Sequence, residues 1–126
     1  MKVRIVVGII GLDQHEVGAI AIARLLTLHG FEVIYLGRFQ TPQSMIAAAV
    51  DEGAQVVGAS CHSWEFISFA PELAALAKKE GVAVVLGGSV ITPGDAVRLR
   101  RAGIDAVFGP LVTERQIIDE ITRLVA

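Results

Sequence analysis

Glu80-Gly81-Val82-Ala83-Val84 closes an Ala/Leu-rich stretch and opens a short apolar run. His29-Gly30-Phe31-Glu32-Val33, Glu52-Gly53-Ala54-Gln55-Val56 and Ala102-Gly103-Ile104-Asp105-Ala106-Val107 repeat that punctuation at spacings of 22 to 28 residues. Glycine just past a helix takes the left-handed conformation cheaply. The runs that follow are short and β-branched, as strands buried on both faces are. One helix and one strand fit each interval. The pattern predicts strands near 3–9, 32–36, 55–60, 83–87 and 105–108, and helices near 17–29, 42–52, 64–80, 93–102 and 113–125. Thr41-Pro42 and Thr92-Pro93 read as an N-cap followed by a first-turn proline. Strict alternation predicts an α/β fold: a flavodoxin-like, doubly wound, five-stranded parallel sheet of order 2-1-3-4-5.

The 126 residues argue for one domain, and 53% hydrophobic content is enough for a full core at that length. A net charge of −2 gives no electrostatic case for nucleic acid or for an anionic membrane. Cys61 is the sole cysteine, so no internal disulfide can form. No apolar run is long enough to span a bilayer and no signal peptide is evident, so the expectation is a soluble cytoplasmic protein.

In this topology ligands bind beyond the carboxyl ends of the strands, at the switch point between the first and third. Four loops should converge there: 11–18, Ser60-Cys61-His62-Ser63-Trp64, Gly87-Gly88-Ser89-Val90 and Phe108-Gly109-Pro110. They are rich in glycine and hydroxyls and carry no lysine or arginine cluster. No P-loop and no G-x-G-x-x-G is present. Within Asp13-Gln14-His15-Glu16-Val17-Gly18, Asp13 can accept a hydrogen bond from His15 Nδ1–H, leaving Nε2 free to bind a metal. The plainer reading makes Asp13 a helix cap and His15 a surface residue.

The pattern D-x-H-x-x-G, then a serine after the third strand and a G-G after the fourth, resembles the cobalamin-binding fingerprint. It matches here at Asp13, His15, Gly18, Ser60, Gly87 and Gly88. The likeness covers nearly the whole chain. Tyr35-Leu36-Gly37-Arg38-Phe39-Gln40-Thr41-Pro42 and Phe108-Gly109-Pro110 look like the small subunits or C-terminal domains of acyl-CoA mutases related to methylmalonyl-CoA mutase. The opening loop is also similar to that of glutamate mutase small subunits.

The resemblance implies base-off binding of adenosylcobalamin, with His15 as lower axial cobalt ligand and the displaced nucleotide tail lodged between the sheet and the first helix. It implies that Asp13 orients His15, that Gly18 lies close to the tail, and that Ser60 bonds the displaced base. Gly87 and Gly88 would leave room for the tail, Ser89 and Val90 would line it, and Phe108, Gly109 and Pro110 would close the far side. Gln14, Glu16, Val17, Ile22 and His62 complete the expected contact set. Ala19, Ile22, Ala23 and Leu26 would wall the channel, or serve as ordinary core.

The chain departs from the family in several places. Ser60-Cys61-His62 replaces S-x-L, Trp64 stands where a small residue is common, Ile9 replaces a lysine, and Leu111 replaces a glycine. Nothing here resembles an acyl-CoA pocket, so the resemblance implies a separate large subunit, a TIM barrel holding the substrate. A homodimer stays open. A corrinoid carrier for methyl transfer is the alternative, although such carriers have a helical domain ahead of the fingerprint and this chain opens on its first strand. A degenerate domain acting as a non-enzymatic interaction module, its channel blocked by His62 and Trp64, is a further one. Arg38 is expected in a loop, free to meet a partner subunit. Arg98, Arg100 and Arg101 read as a solvated helix face.

Overall fold

A computed structural model describes residues 2–11, 16–61 and 65–126. Its elements are β1 (Arg4–Ile10), α1 (Glu16–Leu28), β2 (Glu32–Gln40), α2 (Pro42–Glu52), β3 (Val56–Ser60), α3 (Phe66–Glu80), β4 (Ala83–Gly87), α4 (Pro93–Arg101), β5 (Ala106–Phe108) and α5 (Glu114–Val125). All five strands pair in parallel in the order β2-β1-β3-β4-β5. Among the described residues, no helix is long and apolar enough to cross a membrane.

The punctuating glycines act as expected. Gly30, Gly53, Gly81 and Gly103 all have positive φ. The Gly53 amide donates to the carbonyls of Ala49 and Val50, closing α2. Thr41, Thr92 and Thr113 each form a reciprocal capping box, with Ser44, Asp95 and Gln116 respectively.

Alternating strand side chains feed two separate cores. On one face Val6, Val57, Val84 and Leu86 meet Met45 of α2, Phe66 and Leu73 of α3 and Leu99 of α4. On the other, Ile5, Val7, Val56 and Val85 meet Leu25 and Leu26 of α1 and Ile117, Ile118 and Ile121 of α5. Burying a side chain such as Phe66 or Leu73 contributes about 1.5–3 kcal/mol.

β2 differs from expectation. It continues to Gln40, past the predicted end near 36, and so holds Arg38 in a strand instead of a loop. Its pairing with β1 slips twice, between Val7 and Gly8 and again between Gly8 and Ile10. Gly37 (φ 82°) and Phe39 (φ 63°) lie at these slips. Each slip absorbs one extra residue and the ladder then resumes, a β-bulge that period-2 alternation does not reveal.

Candidate functional site

The carboxyl ends of the strands are tied to one another by main-chain bonds. Gly11 N–H donates to Gln40 O (2.9 Å), Cys61 N–H to Gly87 O (3.0 Å) and Gly88 N–H to Phe108 O (3.2 Å). These bonds carry the sheet ladder into the loops and fix the floor on which a ligand would rest.

Behind that rim lies a cavity of about 280 Å³ between the sheet and the α1/α5 layer. Gly18, Ala19, Ile22 and Leu26 of α1 form one wall, and Val112, Ile117 and Ile121 form another. The sheet side presents Val7, Gly58, Ser60, Val85 and Gly87. Among the described residues the lining carries a single hydroxyl, Ser60, and no charged side chain. Such walls suit a largely apolar group with few polar atoms.

The predicted residues fall into three sets. Gly18, Ile22, Ser60, Gly87, Gly88, Phe108 and Gly109 all line this cavity. Ala19 and Leu26 join them, while Ala23 does not. A second set lies elsewhere. Val17 is 85% exposed. Ser89 is exposed. Val90 packs against the opposite core. Pro110 borders a more open groove between α4 and α5. Asp13, Gln14, His15, His62 and also Trp64 lie outside the described residues.

Glu16 opens α1 and is gripped from β2. Tyr35 Oη donates to Glu16 Oε1 at 2.9 Å, and Arg38 Nε stands 3.7 Å from Glu16 Oε2. Partial burial, the hydrogen bond to Glu16 and that carboxylate's charge push the Tyr35 hydroxyl above the ordinary phenol range, with Arg38 opposing. The Arg38 guanidinium also lies 5.5 Å from the centre of the Phe39 ring.

Cys61, the sole cysteine, is buried core, as is Phe66 at the start of α3. His29 Nδ1 lies 3.0 Å from Leu25 O, at the end of α1. Gly58 was not anticipated as a cavity residue. Its signal was present: a lone glycine inside Val56-Val57-Gly58-Ala59-Ser60, where a strand ordinarily carries a side chain. The α5 wall had no chemical signal, only an apolar helix face.

The B12 binding domain profile matches residues 3–116. The small subunit of 2-hydroxyisobutanoyl-CoA mutase from Aquincola tertiaricarbonis is 32% identical over 126 residues, covering 98% of this chain and 93% of that subunit. Ethylmalonyl-CoA mutase from Methylorubrum extorquens is 39% identical over 110 residues, covering 85% of this chain but only 16% of that enzyme. The fold is also that of a cobalamin-binding protein from Desulfitobacterium hafniense (TM-score 0.82, 20% identity, 99% of this chain and 60% of that one). On the profile and the full-length relative together, the chain belongs to the B12 binding domain family.

Proposed function

We propose that this chain is the cobalamin-binding small subunit of an adenosylcobalamin-dependent carbon-skeleton mutase of the acyl-CoA type, working in the cytoplasm. In this reading His15 is the lower axial ligand of cobalt, Asp13 orients its ring, and the cofactor is held base-off. The observation that carries the reading is the cavity of about 280 Å³ beside α1. A Cβ on Gly58 would meet nothing closer than 3.6 Å, and one on Gly87 nothing closer than 3.7 Å. Sterics do not demand glycine at either place, yet side chains there would grow into the cavity. The residues therefore fit the displaced nucleotide arm: bare backbone and small apolar groups take the flat base, and Ser60 offers it a hydroxyl.

Adenosylcobalamin, when bound, supplies homolysis of its cobalt–carbon bond, which starts the radical rearrangement. This chain's residues bind, orient and exclude water. Val17, Phe39 and Leu111 are exposed apolar side chains at the carboxyl rim of the sheet, and Leu111 is 93% exposed. They support a partner subunit covering that rim; in this reading it is a large TIM-barrel subunit that carries the substrate. The match to a relative that is itself named a small subunit supports the two-chain arrangement.

The test is electron paramagnetic resonance of cob(II)alamin bound to the chain carrying ¹⁵N-labelled histidine. The nitrogen splitting pattern is expected to change with the label, and that dependence on the label is expected to vanish in His15→Ala. A pattern indifferent to the label means that the cofactor keeps its own base, and ends this reading.

A further inference from the structure

We propose that Tyr35 and Arg38 are positioning residues that grip Glu16 at two points, and so set where α1 begins and how its neighbour His15 is presented. The inference rests on the ligand reading above. It starts from strand arithmetic. Side chains alternate faces with period 2, so residues three apart, such as Tyr35 and Arg38, belong on opposite faces of a regular strand. Here both reach one carboxylate, at 2.9 Å and 3.7 Å. The register slip beside Gly37 is what permits it: Val7 pairs with Tyr35 and Gly8 with Gly37, so Leu36 is the extra residue.

Space does not select Gly37, because a Cβ there would meet nothing within 4 Å; its φ of 82° does. Leu36 and Ile34 pack against the α2/α3 side and Val33 against the α1/α5 side. Without the slip Arg38 would follow Leu36 and Ile34 to the α2/α3 side. The bulge re-aims it onto the first turn of α1. The Phe39 ring, 5.5 Å from the guanidinium, holds that aim.

Each contact is partly exposed and individually weak. Their value is geometric, because Glu16 is peptide-bonded to His15 and small displacements of a ligand degrade a site. Each of Tyr35→Phe, Gly37→Ala and Glu16→Ala is expected to weaken cobalamin binding by about fivefold, the scale of one lost surface hydrogen bond. Each is also expected to lower the His-coordinated fraction of cobalamin at saturation. Tyr35→Phe combined with Glu16→Ala should be no worse than Glu16→Ala alone, because that substitution already removes both contacts. Glu16→Gln, which keeps an acceptor for Tyr35, should recover most of the loss.

The experiment is an absorbance titration of the full chain with cobalamin, paired with amide hydrogen exchange at Ile20 and Ala21 in the cofactor-free chain. Faster exchange in Tyr35→Phe together with a lower His-coordinated fraction supports the inference. Faster exchange with unchanged affinity and coordination overturns it, because the grip then holds the helix without presenting the ligand. If His15→Ala leaves the cobalamin spectrum unchanged, the ligand reading fails separately, and the grip is judged by exchange alone. Equal exchange in wild type and Tyr35→Phe overturns it in either case.

Discussion

The backbone carbonyl of Cys61 occupies the position from which a side chain on Gly88 would have to grow: a Cβ built there would stand 1.9 Å from that oxygen. The obstacle is main chain, bonded into the sheet through Cys61 N–H and Gly87 O. Gly88→Ala must therefore part the ends of β3 and β4. A loss of about 3 kcal/mol is expected, at the upper end of overpacking costs. Urea denaturation measures it, and a variant as stable as wild type would mean that these two chain segments part freely.

Gly58 is the opposite kind of glycine. Its nearest prospective neighbours are Val85 Cγ2 at 3.6 Å and Val7 Cγ2 at 3.7 Å, ordinary contact distances. Gly58→Val adds a β-branched side chain to a strand and fills empty volume, so stability should rise by about 1 kcal/mol. Cobalamin affinity should fall at least about tenfold, equivalent to ~1.4 kcal/mol of obstructed contact. A thermal melt and an absorbance titration on the same sample separate the two effects. Undiminished affinity would remove the cavity from the functional account.

Tyr35 is the chain's single tyrosine, so alkaline absorbance reports it without interference from another phenol. Burial, the Glu16 hydrogen bond and the Glu16 charge raise its folded-state value above the unfolded value of about 10. The sign follows by linkage. The protonated donor's contribution is fully present below pH ~10 and is lost as pH rises through the higher folded value. The native midpoint should exceed that of the urea-unfolded chain, and Glu16→Ala should bring it down. An unmoved midpoint in Glu16→Ala would contradict the Tyr35–Glu16 bond.

Thr92 and Asp95 cap α4 reciprocally, with both bonds at 3.1 Å and Asp95 buried. Thr92→Ala should cost about 1 kcal/mol, and Thr92→Ser little. Because α4 packs on the face opposite the cavity, cobalamin affinity should not follow the stability loss. A parallel fall in affinity would show that the two faces are energetically coupled.

The element order, the sheet order and the caps were legible because each rests on local chemistry: glycine past a helix, threonine before proline, β-branched runs. Gly18, Ser60 and Gly87 were legible from the family motif. The exceptions have physical causes. The β2 bulge arises from two φ values that residue alternation does not encode. Gly88 reads as room for a ligand, but its bareness is dictated by Cys61 in the neighbouring loop. Ser89 and Val90 sit beyond the strand end, where a turn redirects the chain, so adjacency to the glycine pair did not bring them to the cavity. Gly58 carried a visible signal that no motif claimed.

The two faces of the sheet differ in mechanical character. One side is filled by Met45, Phe66 and Leu73, each fully buried, while the other keeps about 280 Å³ unfilled. Proteins with internal voids lose volume when they unfold, and hydrostatic pressure favours the smaller state. The wild-type chain should therefore yield to compression sooner than Gly58→Val. A domain built this way is softest where its ligand enters, and binding should harden it.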